Sequence, residues 1–122
     1  MLGVYMDHLH ALDSGLRYGK FLQLYVDTKP YLITGRTERV HREMLKEVLS
    51  DAHIPFKTEK LFIGEGPSPR GDRYQLTGAG LMYIDDDTLL LSGQSDSYEL
   101  KPDRYHVQDI KNLLSYLLKI QV

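Results

Sequence analysis

The clearest pattern of hydrophobic and polar positions begins at residue 18, where apolar side chains dominate the nine-residue run YGKFLQLYV. A short apolar run bounded by turn residues is typical of a mostly buried strand. Residues 27–30 are predicted to close this strand with a turn, and residues 31–34 to form a short second strand. Residues 1–16 show no clear period, apart from a turn at residues 13–15.

Two other stretches repeat apolar residues every three to four positions, as amphipathic helices do. The first helix is predicted over residues 38–52, with Thr37 as its cap, Glu38 opposing the positive helix end, and Pro55 beyond its end. The second is predicted to follow Pro102, with Asp103 as its cap. The apolar positions are Val40, Met44, Leu45, Val48 and Leu49 in the first helix, and Val107, Ile110, Leu113, Leu114, Leu117 and Leu118 in the second.

The segment between the helices has the shorter period and the turn residues of a β-sheet. Four more strands are predicted, at residues 57–63, 73–77, 81–84 and 88–92. Residues 64–72, rich in Gly and Pro, are predicted to be an irregular loop, and residues 85–87 a hairpin turn. The pattern therefore predicts an α/β fold of the α+β kind. A single mixed β-sheet of about six strands would pack with two amphipathic helices in one domain, residues 1–122.

Composition narrows the classes of function. The formal net charge is −2, so the chain lacks the basic field that drives sequence-independent binding to nucleic acid. No stretch approaches the roughly 18 apolar residues of a membrane span, and the start lacks the basic and apolar regions of a secretory leader. We therefore expect a soluble, cytoplasmic protein without a nucleic-acid or membrane partner. The absence of cysteine excludes disulfides, thiolate catalysis and cysteine-based metal sites.

The five histidines differ in their settings. His41 lies in the first turn of the predicted helix, where unpaired backbone N–H groups and the positive end of the dipole attract phosphate. A boundary histidine that packs its ring edge explains this position as well as a catalytic role does. His8 and His10 would share one face of a strand, but without carboxylate partners a surface position is favoured over a metal site. His53 fits the negative end of its helix, and His106 is predicted to be partly exposed beside the second helix cap.

A small, hydroxyl-rich segment, GQSDSY at residues 93–98, follows directly on an apolar strand. Backbone N–H groups and serine hydroxyls in such a segment can bind an oxyanion. Gly, Ser and Asp also end many hairpins for conformational reasons, and this is the commoner explanation. By itself the segment does not decide between these interpretations.

Several of these residues occur in an order that carries a resemblance. The turn at residues 13–15 is followed by Lys20 opening an apolar strand, by Gly35, by His41 at the start of a helix, and by Gly93-x-Ser95-x-x-Tyr98 after a strand. This order resembles the Janus/Ocnus family, the protein histidine phosphatases and their relatives. The resemblance covers residues 13–118 and is closest over residues 87–111, where the family pattern fits without a gap.

The resemblance implies a phosphatase that hydrolyses phosphohistidine or a similar phosphoramidate without a metal or other cofactor. The substrate would be a phosphorylated protein or a small phosphoramidate. His41 falls on the family's catalytic histidine, Lys20 on the lysine near the phosphate, and Ser95 on the serine whose hydroxyl binds it. The one histidine at a helix N-terminus and the hydroxyl-rich strand end would thus meet in one site.

The remaining substrate-binding residues also follow from the resemblance. Backbone amides around His41 and Arg42, and around Asp96 and Ser97, would complete the phosphate cradle.

The chain departs from the family pattern at two places. Asp96 stands where the family usually has an uncharged residue, and a carboxylate repels a dianion unless it points away or is paired. The segment over residues 61–87 is longer than expected, as though a hairpin had been inserted, so Arg36 and Arg73 are only candidates for the family's further arginine contacts.

The first interpretation is therefore a phosphohistidine phosphatase-like domain in which His41 acts as general base or nucleophile. Two other classes of function stay open. One is a phosphate, anion or phosphopeptide binder without catalysis on the same scaffold, and the other is a structural or assembly module. The sequence leaves the oligomeric state open.

Overall fold

The structure is a computed structural model, and it describes residues 8–113 and 119–122. The strands in these ranges are β1 (Leu9–Ala11), β2 (Tyr18–Val26), β3 (Lys29–Gly35), β4 (Thr58–Lys60), β5 (Glu65–Pro67), β6 (Tyr74–Asp85), β7 (Thr88–Ser92) and β8 (Lys119–Gln121). The helices are α1 (His41–Asp51) and α2 (Arg104–Leu113). Six strands form one mixed sheet in the order β1-β3-β2-β6-β7-β8, which confirms the predicted α+β fold.

The sheet is built from two antiparallel hairpins, β2–β3 and β6–β7, joined along β2 and β6. The outer strands β1 and β8 add to it in parallel, beside β3 and β7. Near its start, β2 places Lys20 opposite Gly35 on one side and Leu81 on the other. The central strand therefore carries Lys20 at one end of the sheet, next to the turn that leads into α1.

Each face of the sheet supports one helix, because successive residues of a strand point to opposite faces. On the face that we call the α1 face, Leu22, Leu24 and Ile33 belong to the same core cluster as buried side chains of α1. These α1 side chains are Met44, Leu45, Val48 and Leu49. On the opposite α2 face, Phe21 and Met82 cluster with Val107 and Ile110 of α2.

Strand β6 corrects one sequence prediction. The predicted strands at residues 73–77 and 81–84 are a single strand that runs through Gly78 and Gly80. These glycines mark close backbone approach rather than a turn. A Cβ at Gly78 would stand 1.9 Å from Gln23 Oε1, and one at Gly80 would stand 2.2 Å from the Ser92 carbonyl oxygen.

The predicted strand at residues 57–63 and the loop at 64–72 are also different in the structure. Strands β4 and β5 pair with each other in a separate two-stranded sheet, which we call the β4–β5 hairpin, residues 58–67. Its turn is closed by a hydrogen bond from the Leu61 N–H to the Gly64 carbonyl at 2.9 Å. Gly64 has a φ of +77°, which only glycine adopts without strain, so the residue predicted to break a strand instead reverses it.

Helix α1 begins at His41 rather than at residue 38, and Thr37 does not cap it. Val40 occupies the cap position in extended conformation without a side-chain hydrogen bond. Asp13 holds the preceding turn, because its carboxylate accepts hydrogen bonds from the Arg36 N–H at 2.8 Å and from Arg39 Nε at 2.7 Å. This turn delays the helix and leaves His41 as its first residue.

The prediction for α2 is confirmed at its start and incomplete at its end. Asp103 accepts a hydrogen bond from the Tyr105 N–H at 3.0 Å, as a helix cap does. Leu113 is exposed, and the predicted apolar positions at 114, 117 and 118 lie outside the described residues. His106 is buried rather than partly exposed, and its Nε2 lies 3.1 Å from the Leu24 carbonyl oxygen that accepts its proton. The edge strands β1 and β8 had no periodic signal in the sequence.

The buried side chain of Gln23 yields a test of how β2 holds α2. Its amide donates to the Asp103 carbonyl at 2.9 Å and accepts from the Asp103 N–H at 2.7 Å. Gln23→Met leaves both groups unpaired, so we expect the free energy of unfolding to fall by about 2 kcal/mol in denaturant titration. The matched control is Gln75→Met, an exposed glutamine on β6, which should change it by less than about 0.5 kcal/mol. Equal effects of the two variants would contradict this role of Gln23.

Candidate functional site

The centre of the candidate site is the imidazole of His41 at the start of α1. The ring is buried, and its Nε2 lies 2.9 Å from the carbonyl oxygen of Gly80 on β6. A carbonyl only accepts hydrogen bonds, so Nε2 is assigned the proton and Nδ1 of the neutral ring carries the lone pair. The bond therefore fixes both the orientation and the tautomer of His41.

The surroundings of His41 favour its neutral form. Burial lowers the pKa of His41 below its ordinary value, and this is the largest effect; the hydrogen bond to Gly80 acts in the opposite direction. The positive charge of Lys20 lowers this pKa further, whereas the negative charge of Asp96 raises it. Lys20 and Asp96 are thus both close enough to His41 to act on it electrostatically.

Lys20 lies beneath the turn that precedes α1. Its Nζ donates a hydrogen bond to the Arg39 carbonyl oxygen at 2.6 Å. Lys20 points to the α1 face, and its side chain is half-buried. This contact holds an ammonium group next to the first turn of α1, where His41 also lies.

The side chain of Arg42 is held by the β4–β5 hairpin. A Cβ at Gly64 would stand 2.7 Å from Arg42 Cζ, and one at Gly66 would stand 2.8 Å from Arg42 Cβ. The guanidinium therefore lies along a backbone that only glycine leaves open. Its Nη1 donates to Ser97 Oγ at 3.4 Å, a long contact that places a second cation beside the loop after β7.

The loop at residues 93–98 returns sharply after β7. Gly93 has a φ of +70°, and the N–H of Ser95 donates to the Leu100 carbonyl at 2.8 Å. Ser95 is completely buried, and its Oγ is 3.4 Å from the Tyr98 N–H. In this conformation the hydroxyl of Ser95 faces the inside of the loop.

Asp96 is the exposed carboxylate of this loop. Within residues 8–113 and 119–122 it forms no ion pair within 4 Å. Its negative charge would repel an anionic ligand, whereas the positive charges of Lys20 and Arg42 would attract one. Neither cation neutralises it directly.

The two further candidate arginines lie at different distances from the site. Arg36 follows Gly35, the residue that lies opposite Lys20. Its exposed guanidinium is paired with Asp13 at 3.4 Å. Arg73 pairs with Asp27 at 2.7 Å beyond the other end of β2. At about 3.3 Å per strand residue, Arg73 lies about 20 Å from Lys20 and has no contact with the site.

Two features of the site had no role in the sequence prediction. One is the carbonyl of Gly80, and the other is the β4–β5 hairpin that holds Arg42. The run Gly78-Ala79-Gly80 inside an apolar pattern was the available signal for the first, because glycine in a strand marks close approach. The second had no local signal, because residues 42 and 64 meet only in the folded chain.

Neither a metal site nor a membrane-spanning helix is found among the described residues. No group of three or more His, Cys, Asp or Glu residues in this part of the chain is arranged to hold a metal ion. His8 instead lies with Nδ1 2.7 Å from the Pro30 carbonyl oxygen, and its ring stacks on Tyr31. None of the described helices is long and apolar enough to cross a membrane.

Comparison of the chain with protein-family models and with curated protein sequences found no match. The resemblance to the Janus/Ocnus family therefore stays a prediction.

The two charges beside His41 make a prediction with opposite signs. Lys20→Met removes a positive neighbour, so the pKa of His41 should rise, and Asp96→Asn removes a negative neighbour, so it should fall. Each shift is measurable by NMR titration of the imidazole. Lys46→Met, at an exposed position on α1, is the control and should leave this pKa unchanged. Shifts of the same sign in the two variants would show that Lys20 and Asp96 do not act on His41 through their charges.

Proposed function

We propose that this protein is a metal-independent phosphatase of the cytoplasm that hydrolyses phosphohistidine or a related phosphoramidate at His41. The observation that carries the proposal is the hydrogen bond from His41 Nε2 to the Gly80 carbonyl. It leaves Nδ1 as the basic atom, and burial keeps the ring unprotonated near neutral pH. Both conditions are required of a histidine that accepts a proton or attacks phosphorus.

The proton transfers of the reaction involve this lone pair and water. As general base, Nδ1 takes a proton from a water molecule whose oxygen forms the new bond to phosphorus. The P–N bond breaks, its electron pair goes to the leaving nitrogen, and that nitrogen receives the proton that Nδ1 took from the water. As nucleophile, Nδ1 itself forms the bond to phosphorus while the P–N bond of the substrate breaks, and the leaving nitrogen takes a proton from water. The resulting hydroxide then attacks the phosphorus of phosphorylated His41, the Nδ1–P bond breaks, and its electron pair returns to Nδ1 as phosphate leaves. Acid-labile phosphate retained on the protein during turnover distinguishes the second course from the first.

Two positive side chains near the start of α1 would bind the phosphoryl oxygens. Lys20 approaches from β2, and Arg42 approaches from the hairpin side. The N–H groups of Glu43 and Met44 donate to Val40, so the amides of His41 and Arg42 are the ones that α1 leaves for a ligand. Cations and helix N–H groups fixed before the reaction stabilise charge that develops on the phosphoryl group.

In this proposal Ser95 fixes the conformation of the 93–98 loop, and the backbone amides of Asp96 and Ser97 would donate hydrogen bonds to the phosphoryl oxygens. The support is the burial of Ser95 within the loop and its contact with the Tyr98 N–H. A phosphorylated protein or small phosphoramidate would present its phosphoryl group to the space between His41 and this loop.

The catalytic prediction concerns His41. Assistance by one positioned histidine commonly contributes about 10² to 10⁴ in rate, so His41→Ala should lose this factor in hydrolysis of phosphohistidine or phosphoramidate, measured by phosphate release. His53→Ala, beyond the other end of α1, is the matched control and should retain most activity. EDTA should have no effect on the wild-type protein.

Two outcomes separate the alternatives. Thermal protection by phosphate that requires His41, without turnover, would replace the phosphatase with an anion-binding module. Neither turnover nor protection would leave only a structural role for this fold.

Asp96 gives an independent prediction for ligand affinity. Its exposed carboxylate, which forms no ion pair with any other described residue, opposes an anion. Asp96→Ala should therefore leave phosphate affinity unchanged or raise it by a few fold, which corresponds to about 1 kcal/mol or less. Isothermal titration with inorganic phosphate measures this. A large loss of affinity would mean that Asp96 binds a cation or a donor group, which is a different site chemistry.

A further inference from the structure

Two exposed apolar surfaces lie at the two ends of the loop that follows β7. The first, which we call the tyrosine face, consists of Tyr18, Leu81 and Tyr83, which are 63%, 46% and 46% exposed. The second, the hairpin tip, consists of Phe62 and Ile63, which are 70% and 47% exposed. Grouped apolar side chains on a surface mark contact sites more often than single ones do.

The tyrosine face continues the α1 face of the sheet beyond the start of α1. Tyr18 lies directly opposite Tyr83, and Lys20 lies directly opposite Leu81. Because residues two apart on a strand share a face, Lys20 and these three apolar side chains form one surface. A Cβ at Gly93 would stand 3.1 Å from Leu81 Cγ, so this surface reaches the beginning of the 93–98 loop.

The hairpin tip is joined to the end of the same loop. The N–H of Phe62 donates to the Ser97 carbonyl at 3.2 Å, and the hydroxyl of Tyr98 donates to the Pro67 carbonyl at 2.7 Å. Arg42 packs along Gly64 on the same hairpin. The tip is therefore held in a defined place beside the candidate site while its two apolar side chains face solvent.

We propose that the tyrosine face and the hairpin tip bind the polypeptide on either side of a phosphorylated residue and select apolar side chains there. This inference rests on the proposed function and adds a sequence preference to it. Lys20 borders the tyrosine face, and Arg42 lies along the hairpin that carries the tip, so the phosphoryl group would bind beside both surfaces. A small phosphoramidate would touch only this central part, whereas a peptide would reach the apolar surfaces on both sides.

The test compares three substrates: a phosphohistidine peptide with Leu and Phe flanking the histidine, the same peptide with Ser at those positions, and free phosphoramidate. The variants are Phe62→Ser with Ile63→Ser, and Tyr18→Ser with Tyr83→Thr. The control is Tyr105→Ser, an exposed aromatic on α2, the helix of the opposite face. We expect each double variant to lose about tenfold in kcat/KM for the apolar peptide, mainly through KM, because buried apolar area is lost. Phosphoramidate hydrolysis and the control variant should be unchanged.

Other results would overturn the proposal. Equal losses on the peptide and on phosphoramidate would mean that the variants disturb the site itself, and thermal unfolding of each variant shows whether the fold is intact. Loss of binding to vesicles of anionic lipid, or of self-association in sedimentation, with peptide kinetics unchanged, would assign these surfaces to a membrane or to a second copy of the chain.

A wild-type protein that hydrolyses none of the three substrates would contradict the proposed function. The affinity for the same peptides carrying a non-hydrolysable phosphohistidine analogue then decides the inference separately. Tight binding that depends on the apolar flanks and on the hairpin tip supports the contact surface, and binding indifferent to both, or none, overturns it.

Discussion

The hydrogen bond between His41 Nε2 and the Gly80 carbonyl is the contact on which the candidate site depends. It joins the first residue of α1 to the middle of β6, and it selects the tautomer of the ring. The apolar side of α1 makes the position reproducible, because Met44 and Leu45 are completely buried against the sheet one turn later. The packing of α1 and this one hydrogen bond together hold the imidazole ring of His41 in a buried position.

The start of α1 is set from outside the helix. Asp13 binds the Arg36 N–H and the Arg39 guanidinium, and these contacts lower the pKa of Asp13 to about 2, the Arg39 hydrogen bond most strongly. The ionised carboxylate therefore persists through the physiological range and keeps the turn before His41 in place. Lys20 adds a further contact to the Arg39 carbonyl. Lys20 thus contributes both to the position of the helix start and to the charge near His41.

Polar side chains have different roles on the two faces of the sheet. On the α2 face, buried Gln23 and His106 bond to backbone groups that join β2 to α2, which is a structural use of polar side chains. On the α1 face, Lys20 lies close enough to His41 to act on it through its charge, and Arg42 follows His41 at the start of α1 and contacts Ser97. Buried polar groups that are satisfied stabilise a fold, whereas charged groups near a helix start remain available for a ligand.

The sequence by itself determined the fold class, the extent of β2 and the cap of α2, because these depend on periodicity and on neighbouring residues. It also placed His41 at a helix start and the hydroxyl-rich loop after a strand. Only the tertiary structure decided that Gly78 and Gly80 continue β6, that His106 is buried, and that Arg73 lies at the far end of β2. The reason is that the close approach of distant segments gives glycine, histidine and arginine their roles, and no local pattern encodes that approach.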